Sequence, residues 1–479
     1  MADIRQPDIC VIGAGSGGLS VAAAAAAFGV PVVLVEKGRM GGECLNTGCV
    51  PSKALIAAAH HAAGIAAAAE FGITAGPAAI DFTRVREHIR GVIAAIAPND
   101  SRERFTGLGV QVIAGTARFK DTATAAVGEA VEIKARRFVI ATGSSPAIPP
   151  IPGLAETPHL TNETIFDLAD CPRHLVVIGA GPTGLELAQA FRRLGAAVTV
   201  IEAVVPLANE DPECVAVVLD ALAREGIALR AGVTVRSVRR AADGQDAGVQ
   251  VAIHDGAHEE TISGSHLLIA AGRTPNVADL ALDRAGIAHG PHGIVVDKRL
   301  RTTNKRVYAI GDVTGGPRLT HVAGYQAGLV VRQALFRLPV RVRYDAVPRV
   351  TFTQPELAHV GLTEAEAKAR RRRFRLLRWP YHENDRAQAE RATDGHLKIV
   401  VTRGGKVLGA TIVGRNAGEL IATFALAIGH GLNIRAFAGT VMAYPTLAEI
   451  GKRAAITHFA ADLTRPAVRR IIAWLRRFG

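Results

Sequence analysis

Asp8-Ile9-Cys10-Val11-Ile12-Gly13-Ala14-Gly15-Ser16-Gly17-Gly18-Leu19 is the stretch that decides the fold. Asp8 to Ile12 reads as a buried first strand, Gly13 to Gly18 as a tight turn, and Leu19 to Phe28 as an alanine-rich helix. Val32 to Val35 then reads as a second strand, ending at Glu36. A Gly-x-Gly-x-x-Gly turn between a strand and a helix has a physical use. Its first glycine makes the turn, the second lets the backbone approach a pyrophosphate, and the third lets helix and strand pack closely. The free N–H groups and positive dipole end of the helix favour the phosphates. The acidic residue at the end of the second strand accepts hydrogen bonds from a ribose.

The same pattern occurs a second time. Leu175 to Ile178 reads as a strand, Gly179-Ala180-Gly181-Pro182-Thr183-Gly184 as the turn, Leu185 to Leu194 as the helix, and Val198 to Ile201 as a strand ending at Glu202. A lone glycine motif is weak, but two in full strand–turn–helix–strand context predict two dinucleotide sites. Glu202 would face the adenosine 2′ position, where a carboxylate accepts a free hydroxyl and repels a phosphate. Ala203-Val204-Val205-Pro206 adds no arginine, so NADH is expected over NADPH, with Arg192 and Arg193 as the residues that oppose this choice.

Outward from these motifs, the chain of 479 residues has room for two to four domains. Its 50 glycines suit an α/β protein with many tight turns. The net charge of +13 is spread mostly over scattered arginines, and no nucleic-acid signature accompanies it, so no nucleic-acid partner is expected. No secretory leader and no run of about 20 apolar residues is apparent. The Ala54 to Ala69 segment is interrupted by His60, His61 and Gly64, and a cytoplasmic enzyme is expected. Further turns follow strands at Thr142-Gly143, Gly272 and Gly311-Asp312. From about Arg349 the pattern changes to alternating strands, such as Lys398 to Thr402 and Val407 to Val413, and then to helices at Glu419 to His430 and Thr446 to Ala461.

Of five cysteines, Cys10, Cys171 and Cys214 stand alone and read as packing residues. Cys44 and Cys49 lie together in Gly41-Gly42-Glu43-Cys44-Leu45-Asn46-Thr47-Gly48-Cys49-Val50-Pro51-Ser52-Lys53. Five positions at a distorted helix start allow a disulfide, and a helix N-terminus favours a thiolate. Zinc needs four ligands and finds no second pair, so no metal site is expected.

This segment, with the two glycine turns and the Gly-Asp motif in the same order, resembles the pyridine nucleotide-disulfide oxidoreductases. The resemblance covers nearly the whole chain. It implies an α/β fold of two Rossmann-like dinucleotide-binding domains plus a C-terminal α+β dimerisation domain. The implied segments are 1–146 and 274–346 for FAD, 147–273 for NAD, 347–461 for the dimer interface, and 462–479 as a tail. Gly13, Gly15, Gly18 and Glu36 would hold the FAD adenosine half and Asp312 its ribityl chain, with Lys53 beside the flavin ring. Gly179, Gly181, Gly184 and Glu202 would bind NADH, with Glu186 near the nicotinamide. Thr142, Gly143, Gly272 and Gly311 are assigned to cofactor binding with them. Cys49 would be the thiol against the flavin and Cys44 the thiol that attacks a small-molecule or protein-bound disulfide. Each active site of the homodimer would be completed by the other subunit.

One position departs from the pattern. The family's disulfide reductases carry His-Pro near the C-terminus with a glutamate shortly after. Here Tyr444 precedes Pro445, while Glu449 is kept. Tyrosine titrates near 10 and at neutral pH is mainly a hydrogen-bond donor, not a general base. A tyrosine here is similar to the mercuric reductases and the soluble transhydrogenase. The first of these has a C-terminal cysteine pair that this chain lacks, and the second lacks the full cysteine pair that this chain keeps. The alternative expectation is therefore a flavin reductase of a quinone, a metal ion or a second nucleotide. The tail adds a basic amphipathic helix predicted from Pro466, with Val468, Ile471, Leu475 and Phe478 on one stripe among Arg465, Arg469, Arg470, Arg476 and Arg477, a candidate for weak membrane association.

Overall fold

The structure, a computed structural model, describes residues 3–241, 248–463 and 465–479. Residues 1–2, 242–247 and 464, which fall in the expected FAD, NAD and tail segments, lie outside the described residues. The chain divides into two compact units. One comprises Met1–Gly179, Ala190–Ala203 and Gly232–Val342, the other Ala180–Gln189, Val204–Ala231 and Arg343–Gly479.

The first unit is built on a parallel sheet ordered Val307–Ala309, Arg137–Ile140, Ile9–Ile12, Val32–Glu36, Val110–Ala114. All four residues of Ile9–Ile12 are buried, as expected for a central strand covered on both faces. The helix Ser16–Ala27 packs against Thr320–Phe336 over one face, with Val11, Leu34, Val139, Ala22 and Val330 in the shared core. The other face is closed by Cys10, Val33, Phe138, Phe119 and Ile133. A second parallel arrangement places His174–Ile178 between Ala197–Glu202 and His266–Ile269. Its face packs against the antiparallel strands Thr234–Arg240, Val249–His254 and Glu259–Gly264 through Val176, Ile178, Val238 and Val251. The predicted helix starts move toward the N-terminus: Ser16 and Pro182 open the two helices, because the turn glycines themselves take up helical backbone.

The Ala-rich helix Cys49–Ala67 buries Ala54, Leu55, Ile56, Ala59 and Ala62 and packs against Phe82–Ile96. Taken from Gly42 to Phe71, this helical segment is long and apolar enough to cross a membrane by length and composition. His60, His61 and Gly64 dilute its hydropathy less than the sequence reading allowed, because alanines surround them.

The second unit holds a five-stranded antiparallel sheet ordered Arg349–Thr351, Glu356–Gly361, Val407–Gly414, His396–Thr402, Phe374–Pro380. The helices Ala417–Gly429 and Glu449–Leu463 pack on it. Phe424 stacks on Phe437 at 4.7 Å within that core. Lys398 is buried on this sheet and binds three carboxylates: Asp211 at 2.7 Å, Glu213 at 3.0 Å and Glu364 at 3.1 Å. The tail helix runs Pro466–Leu475, with proline in its first turn as predicted. Ile471, Ile472, Trp474 and Leu475 are exposed on it; Phe478 lies beyond its end, edge-on to Trp474 at 4.9 Å.

Candidate active site

The two glycine turns are built alike. A Cβ on Gly13, at φ +105°, would lie 2.4 Å from the Ala141 carbonyl oxygen; a Cβ on Gly179, at φ +109°, would lie 2.4 Å from that of Ala270. Both positions are left-handed and tightly backed by a neighbouring strand end, so a side chain is excluded twice over. Gly15 and Gly181 differ. A Cβ on Gly15 would meet nothing closer than 3.9 Å, and one on Gly181 nothing within 4 Å. A Cβ would therefore find open space at Gly181 and ordinary contact with Gly42 at Gly15.

The first helix has no side-chain cap and no acidic residue in its opening turn. Its N-terminal N–H groups are therefore placed for an outside anion. Glu36 turns back on the glycine turn, accepting from the Ala14 N–H at 2.5 Å and the Gly38 N–H at 2.7 Å. Thr142 and Gly143 are tied to Asn276: the Thr142 hydroxyl donates to its carbonyl at 2.8 Å, and the Asn276 N–H donates to Gly143 O at 3.0 Å. Gly311 donates its N–H to the buried Gln326 Oε1 at 2.6 Å, which aims the Gly311–Asp312 turn. Gly272 sits at φ +124° and accepts from the Ala147 N–H at 3.0 Å. An uncapped helix start, open glycine and flanking carboxylates fit the pyrophosphate and ribose of FAD.

The cysteine segment is seated on this turn. Gly41 donates its N–H to Ala14 O at 2.9 Å, and a Cβ on Gly42 would lie 2.7 Å from Gly15 Cα. A short helix, Gly42–Asn46, carries Cys44, and the next helix begins at Cys49. Interaction with Cys49 first, then burial, holds the Cys44 thiol well above the usual thiol range. Cys49 Sγ also lies 3.4 Å from Thr320 Oγ1. Lys53 follows one helical turn after Cys49 and is half-buried. Cys10 and Cys214 are buried, as expected of packing residues, and Cys171 is half-buried.

Sequence reading missed a polar network beside the pair. Arg273 is ion-paired with Glu43, donates to Ser144 Oγ and to Ser144 O at 2.7 Å each, and lies 3.8 Å from Asp312 Oδ2. The Ser144 hydroxyl donates to Asp312 at 2.6 Å, and Asn162 Nδ2 donates to Glu43 at 2.9 Å. The signal available in sequence was the position of Glu43 next to Cys44 and of Arg273 next to Gly272.

The remaining expected residues lie on other elements. Glu202 ends the strand Ala197–Glu202. Glu186 is buried and accepts the Phe352 N–H at 2.9 Å. Tyr444 and Glu449 belong to the second unit. Tyr444 is exposed, precedes a cis proline, and donates its hydroxyl hydrogen to Asp385 at 2.8 Å. That bond, and the charge of Asp385, raise the phenol further above neutrality.

Two family models match. "Pyridine nucleotide-disulphide oxidoreductase" covers residues 7–327, and its dimerisation domain covers 347–455. A mercuric reductase of Streptomyces lividans is 37% identical over 465 residues, 96% of this chain and 97% of that one. A dihydrolipoyl dehydrogenase of Geobacillus stearothermophilus is 35% identical over 457 residues, 94% of this chain and 96% of that one. Among solved structures, LpdA from Mycobacterium tuberculosis is similar with TM-score 0.85 and 30% identity, covering 95% of this chain and 99% of that one. The HOCl-induced flavoprotein disulfide reductase RclA from Escherichia coli gives TM-score 0.82 and 28% identity, over 93% and 98%. The chain thus belongs to the pyridine nucleotide-disulphide oxidoreductase family, as a FAD-containing, NAD(P)-dependent, homodimeric oxidoreductase.

Proposed function

We propose that the chain uses Cys44 and Cys49 as its redox pair to reduce a small-molecule or protein-bound disulfide with NADH. The observation that carries this is the placement of Cys44 in the short helix Gly42–Asn46 and of Cys49 at the start of the next, on a segment seated against the first glycine turn. Bound at the first glycine turn, FAD would supply the redox chemistry that links a nicotinamide to a disulfide. The protein residues have narrower tasks. Cys49, beside Thr320, would be the thiol on the flavin side, and Lys53, one turn on, would serve the ring. Cys44 is the thiol that attacks the acceptor. Glu186, buried and accepting the Phe352 N–H, is the residue assigned to the nicotinamide end. The functional segments proposed are 1–146 with 274–346 for FAD, 147–273 for NAD and 347–461 for dimerisation. Tyr444 and Glu449 would complete the site of the partner subunit. NADH is preferred because Glu202 ends its strand as a carboxylate, and Arg192 hydrogen-bonds the Ala196 carbonyl of its own turn at 3.3 Å.

The test is Cys44→Ser. Flavin reduction by NADH should survive and reduction of lipoamide or another disulfide should fall to background. Full disulfide turnover in that variant would overturn the assignment.

A second reading has its own observation. Tyr444 takes the place in the sequence where the family's disulfide reductases carry histidine, and its hydroxyl hydrogen is donated to Asp385. This favours an acceptor that takes electrons without thiol–disulfide exchange, such as a quinone or metal ion. Turnover of such an acceptor unchanged by Cys44→Ser would support it; loss of that turnover would reject it.

The tail is proposed to touch an anionic membrane surface weakly, the enzyme itself working in the cytoplasm. Exposed Ile471, Ile472, Trp474 and Leu475 among arginines support this. Flotation with anionic liposomes should weaken on deletion of residues 465–479; equal flotation would reject it.

A further inference from the structure

The helix that carries Cys44, Gly42–Asn46, has only five residues. It opens on Gly41 in left-handed backbone at φ +88° and has no side-chain cap. A helix this short is marginal without outside contacts, and its last carbonyls find no partners within it. Asn162, more than a hundred positions away, supplies contacts at both of its ends. Its Nδ2 donates to Glu43 Oε1 at 2.9 Å and to the Thr47 carbonyl at 3.1 Å. Glu43 lies in the first turn and Thr47 is the residue that closes the helix, so one amide spans the turn that holds Cys44. A carboxylate and a carbonyl can only accept, and this fixes which way the Asn162 amide faces. An aspartate of the same shape would set oxygen against oxygen at both contacts.

Asn162 is itself anchored. Two residues before it, Leu160 donates its N–H to Leu267 O at 2.7 Å and accepts from the Ile269 N–H at 2.8 Å. These bonds add Leu160 in parallel to the strand His266–Ile269, the neighbour of His174–Ile178. The Cys44 helix is therefore held from two sides. Gly41 ties it to the first glycine turn through Ala14 O at 2.9 Å, and Asn162 ties it to the sheet of the second.

We propose that Asn162 is a positioning residue for the cysteine pair: by bridging Glu43 and Thr47 it keeps the Cys44 helix in register with Cys49, and so favours closure of the two thiols to a disulfide. The inference rests on Cys44–Cys49 being the redox pair. In the step concerned, the two cysteine thiols lose two electrons and two protons and form one S–S bond. The acceptor disulfide takes both and becomes two thiols. How readily the pair closes depends on the effective concentration of one sulfur at the other, which a loosened helix lowers. Without the Asn162 bridge the pair becomes easier to reduce and a weaker reductant's disulfide less easily formed.

The experiment poises the holoenzyme in buffers of reduced and oxidised dithiothreitol and counts free thiols by mass after alkylation. Asn162→Asp should be half-reduced at a reduced-to-oxidised ratio about tenfold lower than wild type, which corresponds to about 30 mV. Asn162→Ala should shift in the same direction. Flavin reduction by NADH should keep its wild-type rate in both, a result that general damage to the fold would not give. Adding Glu43→Gln to Asn162→Asp lets the new amide donate to the new carboxylate, and should return the midpoint toward wild type. Unmoved midpoints in both single variants would overturn the proposal, as would a double variant shifted further by the sum of its parts. If Asn162→Asp does not retain flavin, the midpoint of Asn162→Ala decides alone. A count of thiols after anaerobic NADH reduction separates this inference from the reading beneath it. No new thiols in wild type would mean that the pair is bypassed, and both fall; two new thiols with unmoved midpoints would sink only the role of Asn162.

Discussion

Tyr444 gives its hydroxyl hydrogen to Asp385 across 2.8 Å, a side chain 59 positions earlier in the sequence. A phenol so bonded stays protonated through neutral pH and cannot serve as a general base there. Placing histidine at this position supplies a group that titrates near neutrality beside a carboxylate that can orient it. Tyr444→His should raise disulfide turnover about 100-fold, the lower end of general-base effects. It should also introduce an inflection between about pH 6 and 7 in kcat/KM. Steady-state lipoamide kinetics across pH checks this, and an unchanged profile would mean that the residue at 444 does not reach the reacting thiols.

The open and closed glycines of the first turn should behave differently. A Cβ on Gly18 would lie 1.9 Å from the Gly13 carbonyl oxygen, so Gly18→Ala must displace helix or strand. A cost of about 1–3 kcal/mol in stability is expected. Gly15→Ala would bring a methyl group only to ordinary contact, 3.9 Å from Gly42 Cα. It should leave the thermal unfolding of the flavin-free protein unchanged while weakening FAD retention on gel filtration. Loss of stability in Gly15→Ala would show that this glycine serves packing and not the ligand.

Glu202 should govern the choice of nucleotide. Removing a charged acceptor of ribose hydrogen bonds costs about 1.5–3 kcal/mol. Glu202→Ala should therefore lower the NADH-to-NADPH ratio of kcat/KM by about 10- to 150-fold. Flavin reduction rates with the two nucleotides measure it; an unaltered ratio would place the selecting contact elsewhere.

Acid should dissolve the Lys398 cluster. Burial raises Glu213, but hydrogen bonds from Arg378 and Lys398 prevail and hold its carboxyl down to about 2. A carboxyl lowered by folding contributes stability above its unfolded value, near 4.5, and loses it as pH falls toward 2. Urea midpoints should drop across that window. Lys398→Met leaves Asp211 buried without its cation, which should cost about 3–5 kcal/mol near neutral pH. It should also flatten the acid dependence. An acid profile identical to wild type would remove Lys398 from the account.

The chemistry of this protein was largely legible in its chain because it is local. Strand, glycine turn and helix at residues 9–27, and again at 174–193, are specified by neighbours in sequence, since a pyrophosphate-binding turn needs particular backbone freedom at fixed spacing. The Cys44–Cys49 pair was legible for the same reason: five residues with glycines around them can bring two sulfurs together without help from distant parts. Tyr444 in place of histidine could also be read directly, and with it the question of the acceptor. Tertiary structure alone decided which side chains surround these motifs. Arg273 meets Glu43 from 230 positions away, Thr320 meets Cys49 from 271, and Lys398 gathers Asp211, Glu213 and Glu364. Ion pairs and hydrogen bonds between side chains carry no periodicity along the chain; they exist only where separate strand ends and helix starts converge.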